Sequence, residues 1–168
     1  QGNEKEERGR QMNIVLNRID EWLIHGQVLA SWAKKLKAQQ ILVVDEQLVD
    51  DQFAETVLTM AIPEGMGMKI LDTVQASEYL REHADGTPPN TILLVKRPET
   101  LWKLRELGYH PGQINIGGMA AGPSRKYLSR NLYASEKEIE MLKSFQEEGI
   151  PVYAQIVFGD SKKDFGEI

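Results

Sequence analysis

Arg18, Asp20, His25 and Gln27 fall in one short stretch, Arg18-Ile-Asp-Glu-Trp-Leu-Ile-His25-Gly-Gln27. Imidazole is nucleophilic near neutral pH because its pKa lies close to ambient. Attack on a phosphoryl donor would give a phosphoimidazole. Such a site must neutralise the equatorial oxygens and hold donor and acceptor in line. The stretch lies where an apolar strand pattern gives way to a helical one, and unpaired N–H groups at a helix start suit a phosphate. Those of Gly26, Gln27 and Val28 are candidates, Arg18 offers a cation and Gln27 an amide donor. Asp20 has two open roles: to hold Arg18, or to accept a proton from the second imidazole nitrogen and fix the tautomer. By residue chemistry alone, two readings of His25 stand: a phosphoryl acceptor, or a polar loop histidine that caps a helix.

The elements that must position these groups follow from hydrophobic periodicity. Met12 to Arg18 reads as a strand and Gly26 to Lys37 as a helix through Val28, Leu29, Trp32, Ala33 and Leu36. Ile41–Val44 is a continuous apolar run of the buried parallel type. A helix capped by Asp50 or Asp51 carries Phe53, Val57, Leu58 and Met60. Met68–Leu71 is a strand, and Thr73 to Ala84 a helix with Val74, Tyr79 and Leu80 on one side, stopped by the turn residues from Asp85 to Pro89. Thr91–Val95 is a strand, and Pro98 opens a helix through Leu101, Leu104 and Leu107. Ile114–Ile116 is a short strand ending in Gly117-Gly118, and Tyr127 to Tyr133 forms an extra strand or hairpin. Ser135 and Glu138 have capping-box spacing for a surface helix to Glu148 with Ile139, Leu142 and Phe145 on its apolar side. Val152–Val157 is the last strand.

This alternation predicts an α/β fold: a mostly parallel central sheet with helices on both faces, three layers, and one antiparallel edge strand. Ligands in such folds bind beyond the carboxyl ends of the strands. The loops at Ile19–His25, Asp45–Val49, Lys96–Thr100 and Gly117–Gly122 then gather on one edge. Residues 1–11 read as a disordered or cloning-derived tail, and residues 12–168 as a single domain.

Composition narrows the classes. The chain has 168 residues, a net charge of −5 and no cysteine. The acidic balance argues against a nucleic-acid surface, and the missing cysteines exclude disulfides and thiolate chemistry and fit a reducing cytosol. No apolar run approaches the roughly 20 residues that span a bilayer, and no signal peptide is visible. His83 reads as a helix-end residue and His110 as a turn residue, so no metal site is expected. Lys96 and Arg97 are either phosphate or partner contacts or a solvated basic turn. Gly117 and Gly118 allow close backbone approach or form a positive-φ turn, the latter being favoured. Asp45 reads as a cap or loop polar group, and Trp32 and Trp102 as packing residues.

Three segments together resemble a known family. Arg18-Ile-Asp20 followed by Leu23-Ile-His25-Gly-Gln27-Val28, Leu94-Val-Lys-Arg-Pro-Glu-Thr100, and Ile114-Asn-Ile-Gly-Gly-Met119 are similar, in order and spacing, to segments of the enzyme IIB subunits of mannose/fructose/sorbose-type sugar phosphotransferase systems. The resemblance implies a type-4 IIB phosphocarrier, a component of a phosphoenolpyruvate-dependent sugar phosphotransferase. His25 would take phosphate from a IIA phosphohistidine, on Nδ1, and pass it to a sugar held by membrane IIC and IID subunits. It further implies a cytoplasmic protein associated peripherally with the permease, a dimer, and no metal or nucleotide cofactor. Sugar identity would reside in the membrane subunits. One position departs: the family usually has arginine where this chain has Trp22. A guanidinium's bidentate phosphate contacts are thereby lost, leaving Arg18, Lys96 or Arg97 to replace it, or Trp22 to offer an aromatic face to a partner or sugar. The alternatives are a regulatory IIB-like binding protein with impaired transfer, and a flavodoxin-like small-molecule binder, against which the lack of Gly-rich nucleotide loops argues.

Overall fold

The computed structural model describes residues 13–24, 26–83 and 88–168. The tail assigned to residues 1–11, the strand start at Met12, His25 itself, and the Ala84 to Thr87 part of the helix stop lie outside the described residues. The chain alternates β1 (Ile14–Asp20), α1 (Gly26–Leu36), β2 (Gln40–Val44), α2 (Gln52–Ala61), β3 (Gly67–Leu71), α3 (Thr73–Glu82), β4 (Thr91–Val95), α4 (Pro98–Glu106) and β5 (Ile114–Gly118). A hairpin follows, β6 (Lys126–Ser129) and β7 (Leu132–Ala134), then α5 (Glu136–Glu147), β8 (Val152–Ala154), β9 (Lys163–Asp164) and a 3-10 turn, Phe165–Glu167.

Seven strands form one sheet in the order β3-β2-β4-β1-β5-β8-β9. All its pairings are parallel except β8 with β9, the antiparallel edge. The central strands β2 and β4 are buried along their whole length, which explains their unbroken apolar sequences: both faces are covered by helices. On one face Leu16, Ile41, Val43, Ile92 and Leu94 pack against Leu29, Trp32 and Ala33 of α1, with Leu58 and Ala61 of α2 beside them. On the other, Ile19, Leu42, Leu93 and Ile116 meet Ala76 and Leu80 of α3, Leu101 and Leu104 of α4, and Leu142 and Phe145 of α5.

Caps fix where the helices begin. Asp51, rather than Asp50, caps α2, its Oδ1 accepting from Ala54 N–H at 3.0 Å. Both halves of a capping box form at α5: Ser135 Oγ accepts from Glu138 N–H and Glu138 Oε1 accepts from Ser135 N–H.

Several boundaries differ from the sequence reading. β1 runs on to Asp20 because Arg18 and Asp20, polar as they are, pair with each other and are both buried. α3 buries Thr73, Ala76, Ser77 and Leu80, whereas Val74 falls on the opposite side and is 57% exposed. β8 stops at Ala154 because the next carbonyls, of Gln155 and Ile156, turn away to serve Arg18. Phe145 is fully buried and meets Trp102 edge-on, ring centroids 5.0 Å apart. Phe145→Ala is expected to lower unfolding free energy in urea by about 3–5 kcal/mol, the usual cost of removing a core aromatic.

Candidate functional site

β1 leads through α1 to β2 on one side, while β5 leads through the hairpin and α5 to β8 on the other. The two connections leave adjacent strands in opposite directions and open a crevice beyond their carboxyl ends. The register sets the neighbours there: Ile19 lies opposite Val95 of β4, and Asp20 opposite Gly118 of β5. Residues just past these positions therefore meet.

At the base of the crevice sits Arg18, 1% exposed. Its Nη1 donates to Asn115 Oδ1 at 2.7 Å and to the Gln155 carbonyl at 3.2 Å. Nη2 donates to Asp20 Oδ2 at 3.1 Å and to the Ile156 carbonyl at 2.9 Å. The guanidinium also faces the Trp32 ring at 5.5 Å, and Trp32 Nε1 shares the Ile156 carbonyl. Burial pushes the Arg18 pKa down, with the Asp20 carboxylate opposing the shift; a guanidinium stays charged regardless.

Asp20 connects this base to the loop above. One carboxylate oxygen holds Arg18, and the other, Oδ1, accepts from Trp22 N–H at 3.0 Å. Leu23 N–H donates to the Asp20 carbonyl at 2.9 Å, and Leu23, with its side chain buried, takes φ of 53°, a left-handed conformation that a branched side chain seldom adopts. α1 opens at Gly26. Gly26 and Gln27 are exposed and Val28 half-buried. Two of the proposed residues, Arg18 and Asp20, are thus brought together beneath the loop, with Gly26, Gln27 and Val28 in the first turn of the helix it feeds.

Neither Gly117 nor Gly118 has a positive φ, which corrects the turn reading; both belong to β5. A Cβ on Gly117 would overlap the Arg18 guanidinium, and one on Gly118 would overlap the Trp22 ring. The missing side chains leave room for these two large neighbours. Trp22 is 46% exposed.

Lys96 and Arg97 follow β4 directly. Arg97 is 61% exposed and its Nε lies 3.9 Å from Glu21 Oε1. Glu21 is more firmly held elsewhere: Oε2 accepts from Ala120 N–H at 3.2 Å, and Oε1 is in contact with Arg125 Nη1. Arg125 in turn grips Glu138 with Nε at 2.8 Å and Nη2 at 2.7 Å, and donates to the Ala120 carbonyl. Burial alone would raise the Glu138 pKa, but the hydrogen bonds from Arg125 and from Ser135 N–H outweigh it and hold the pKa below the usual glutamate value.

Other candidates lie apart. Asp45 Oδ1 accepts from Gln47 and Leu48 N–H groups, a loop-closing role. Thr100 sits in the first turn of α4, its N–H donating to the Arg97 carbonyl. His83 ends α3, Nδ1 2.9 Å from the Tyr79 carbonyl, and His110 is exposed before β5, so both sit at the opposite, amino edge of the sheet. Among the described residues, no cluster of three or more His, Cys, Asp and Glu forms that could hold a metal ion, and no helix is long and apolar enough to cross a membrane.

Residues 14–168 match the family described as PTS system sorbose subfamily IIB component. The chain belongs to this IIB family. It is a component of a sugar phosphotransferase system. The chain is 27% identical to the fructose-specific EIIB component of Bacillus subtilis, over 94% of this chain and 96% of that one. It is 30% identical to the mannose-specific EIIAB component of Escherichia coli, over 90% of this chain and 46% of that longer protein. Among solved structures, manxB of Thermoanaerobacter tengcongensis superposes with a TM-score of 0.84 at 30% identity, over 94% of this chain and 95% of that chain.

Asn115, Gln155, Glu21 and Arg125 were not singled out from the sequence. A polar Asn115 between two isoleucines of a buried strand was a usable signal; the others carry none. Two expectations follow. Gly117→Ala, whose methyl must displace a guanidinium held by four hydrogen bonds, loses about 2–3 kcal/mol in chemical denaturation, while Gly118→Ala shifts the half-exposed Trp22 and shows chiefly in tryptophan fluorescence and its quenching. Glu138 contributes stability that is complete above the ordinary glutamate range and is lost as pH falls below it. Glu138→Gln therefore costs about 2 kcal/mol at neutral pH and flattens the acid limb of a stability–pH curve.

Proposed function

We propose that the chain is a cytoplasmic phosphocarrier in which His25 accepts a phosphoryl group from a IIA phosphohistidine and passes it to a sugar presented by membrane subunits. An imidazole nitrogen of His25 forms a bond to phosphorus as the donor's P–N bond breaks, and that bonding pair returns to the departing imidazole. In onward transfer a sugar hydroxyl oxygen bonds to phosphorus as the His25 P–N bond breaks, and the hydroxyl proton ends on the released imidazole. The observation that supports this reading is the braced turn from Asp20 to Leu23 at the carboxyl end of β1, a few residues before α1 opens at Gly26. Helix N–H groups there, including those of Gly26, Gln27 and Val28, favour a bound phosphate. The E. coli relative named as an EIIAB component supports a IIA donor.

Within this scheme Arg18 acts from below. Its four terminal N–H contacts are engaged, so its contribution is to fix Asp20, and through it the loop. The Gln27 side chain is exposed in the first turn and would serve as an amide donor to the phosphoryl oxygens.

A second reading, a IIB-like binding protein without transfer, draws on Trp22, an uncharged and half-exposed ring close against Gly118. One assay separates the two. The chain is incubated with phosphoenolpyruvate, enzyme I, HPr and a IIA protein, and acid-labile phosphate is measured beside an authentic IIB control. The carrier reading expects labelling of the parent and none of His25→Ala. An unlabelled parent beside a labelled control would sink it, and equal labelling of His25→Ala would move the acceptor to another residue.

A further inference from the structure

Building on the carrier reading, we infer that Arg97 is the guanidinium that neutralises the phosphoryl group in transfer, released to it by Glu21. A phosphoryl group in flight needs cationic donors around its equatorial oxygens, and the cations near the loop are not equally able to move. Arg18 is buried with its four terminal N–H contacts taken. Arg125, with a side chain 12% exposed, is clasped by both Glu138 oxygens, the Ala120 carbonyl and Glu21. Moving either would strip partners from a buried charge, which is strongly unfavourable.

Arg97 is in the opposite situation. Its side chain is 61% exposed, and its ion pair with Glu21 is long, 3.9 Å, to an oxygen that already touches Arg125. With the guanidinium in solvent and the contact this long, the attraction is weak. Glu21 therefore retains Arg97 near the crevice without holding it tightly. The register explains its reach: Arg97 stands two residues past Val95, as Glu21 stands two past Ile19, and Val95 and Ile19 are paired. Arg97 and the loop leading to position 25 are thus adjacent across the β4–β1 boundary. An arginine fork can meet two phosphoryl oxygens at once, which the neighbouring Lys96 ammonium cannot.

The decisive experiment compares two donors: a phosphorylated IIA protein, and phosphoramidate, which needs no docking surface. With phosphoramidate, a His25 nitrogen bonds to phosphorus, the P–N bond breaks, and ammonia departs with the proton that the imidazole gives up. Arg97→Gln is expected to slow phosphorylation from both donors on the order of 100-fold, as loss of one charge-stabilising donor does. Arg97→Lys should recover part of the rate, and free guanidinium ion should partly restore Arg97→Gln. Lys96→Gln should be much milder. Circular dichroism and thermal unfolding of Arg97→Gln should match the parent, because the side chain is exposed.

The outcomes separate cleanly. Failure of the parent to take phosphate from either donor overturns the carrier reading and this inference with it. A labelled parent with an equally fast Arg97→Gln overturns the inference alone. Slowing with the IIA donor but not with phosphoramidate would make Arg97 a docking residue and also overturns it, as would a loss that follows Lys96→Gln instead.

Discussion

The structure depends on a buried guanidinium. Burying Arg18 without partners would cost far more than a domain of this size can spare. Its position is tolerable only because four acceptors converge on it from distant parts of the chain: Asp20, Asn115 and the carbonyls of Gln155 and Ile156. Each acceptor constrains something else. The two carbonyls require β8 to end at Ala154 and its chain to turn. Asn115 fixes the register of β5 against β1. The space the guanidinium occupies excludes a side chain at residue 117. Strands β1, β5 and β8 are locked by one charge as well as by their ladders.

That lock is transmitted to the surface through a single carboxylate. Asp20 spends one oxygen on Arg18 and the other on Trp22 N–H, so the loop's first turn is built on a group that cannot shift without exposing the buried cation's loss. The left-handed Leu23 is held from both sides, by the Asp20 carbonyl and by burial of its own side chain. Rigidity of this kind suits a site that must hold a reacting atom in line, since misplacement by an ångström is costly in rate.

The division between what was legible in the sequence and what was not has a physical cause. Helices and strands announced themselves because burial imposes a period: the run Thr91–Val95 and the capping box at Ser135 and Glu138 are local signals with local consequences. The loop from Arg18 to Gln27 stood out for the same reason, its chemistry being packed into consecutive residues. The hub around Arg18 was hidden because two of its acceptors are backbone carbonyls at 155 and 156, which no side chain marks. Gly117 and Gly118 favour a turn in sequence because glycine signals both positive φ and absent bulk, and only the position of Arg18 and Trp22 decides between them. Val74 failed differently: one apolar residue on a short helix does not set the buried face when Ala76 and Leu80 do.

The charges around the loop are arranged in tiers of mobility. The Arg18–Asp20 pair is buried and fixed. The Arg125–Glu138 pair is nearly as fixed, and through Glu21 it anchors the loop to the segment after β5. Glu21 is the counter-charge that Arg97 meets, and it is shared with Arg125. A cation that must reach a transient phosphoryl group needs a resting partner weak enough to leave, in a place close enough to return to. An acid held by a second arginine meets both conditions, because its charge is already largely neutralised. Trp22, set close against Gly118, adds apolar surface beside these charges without adding a fixed one.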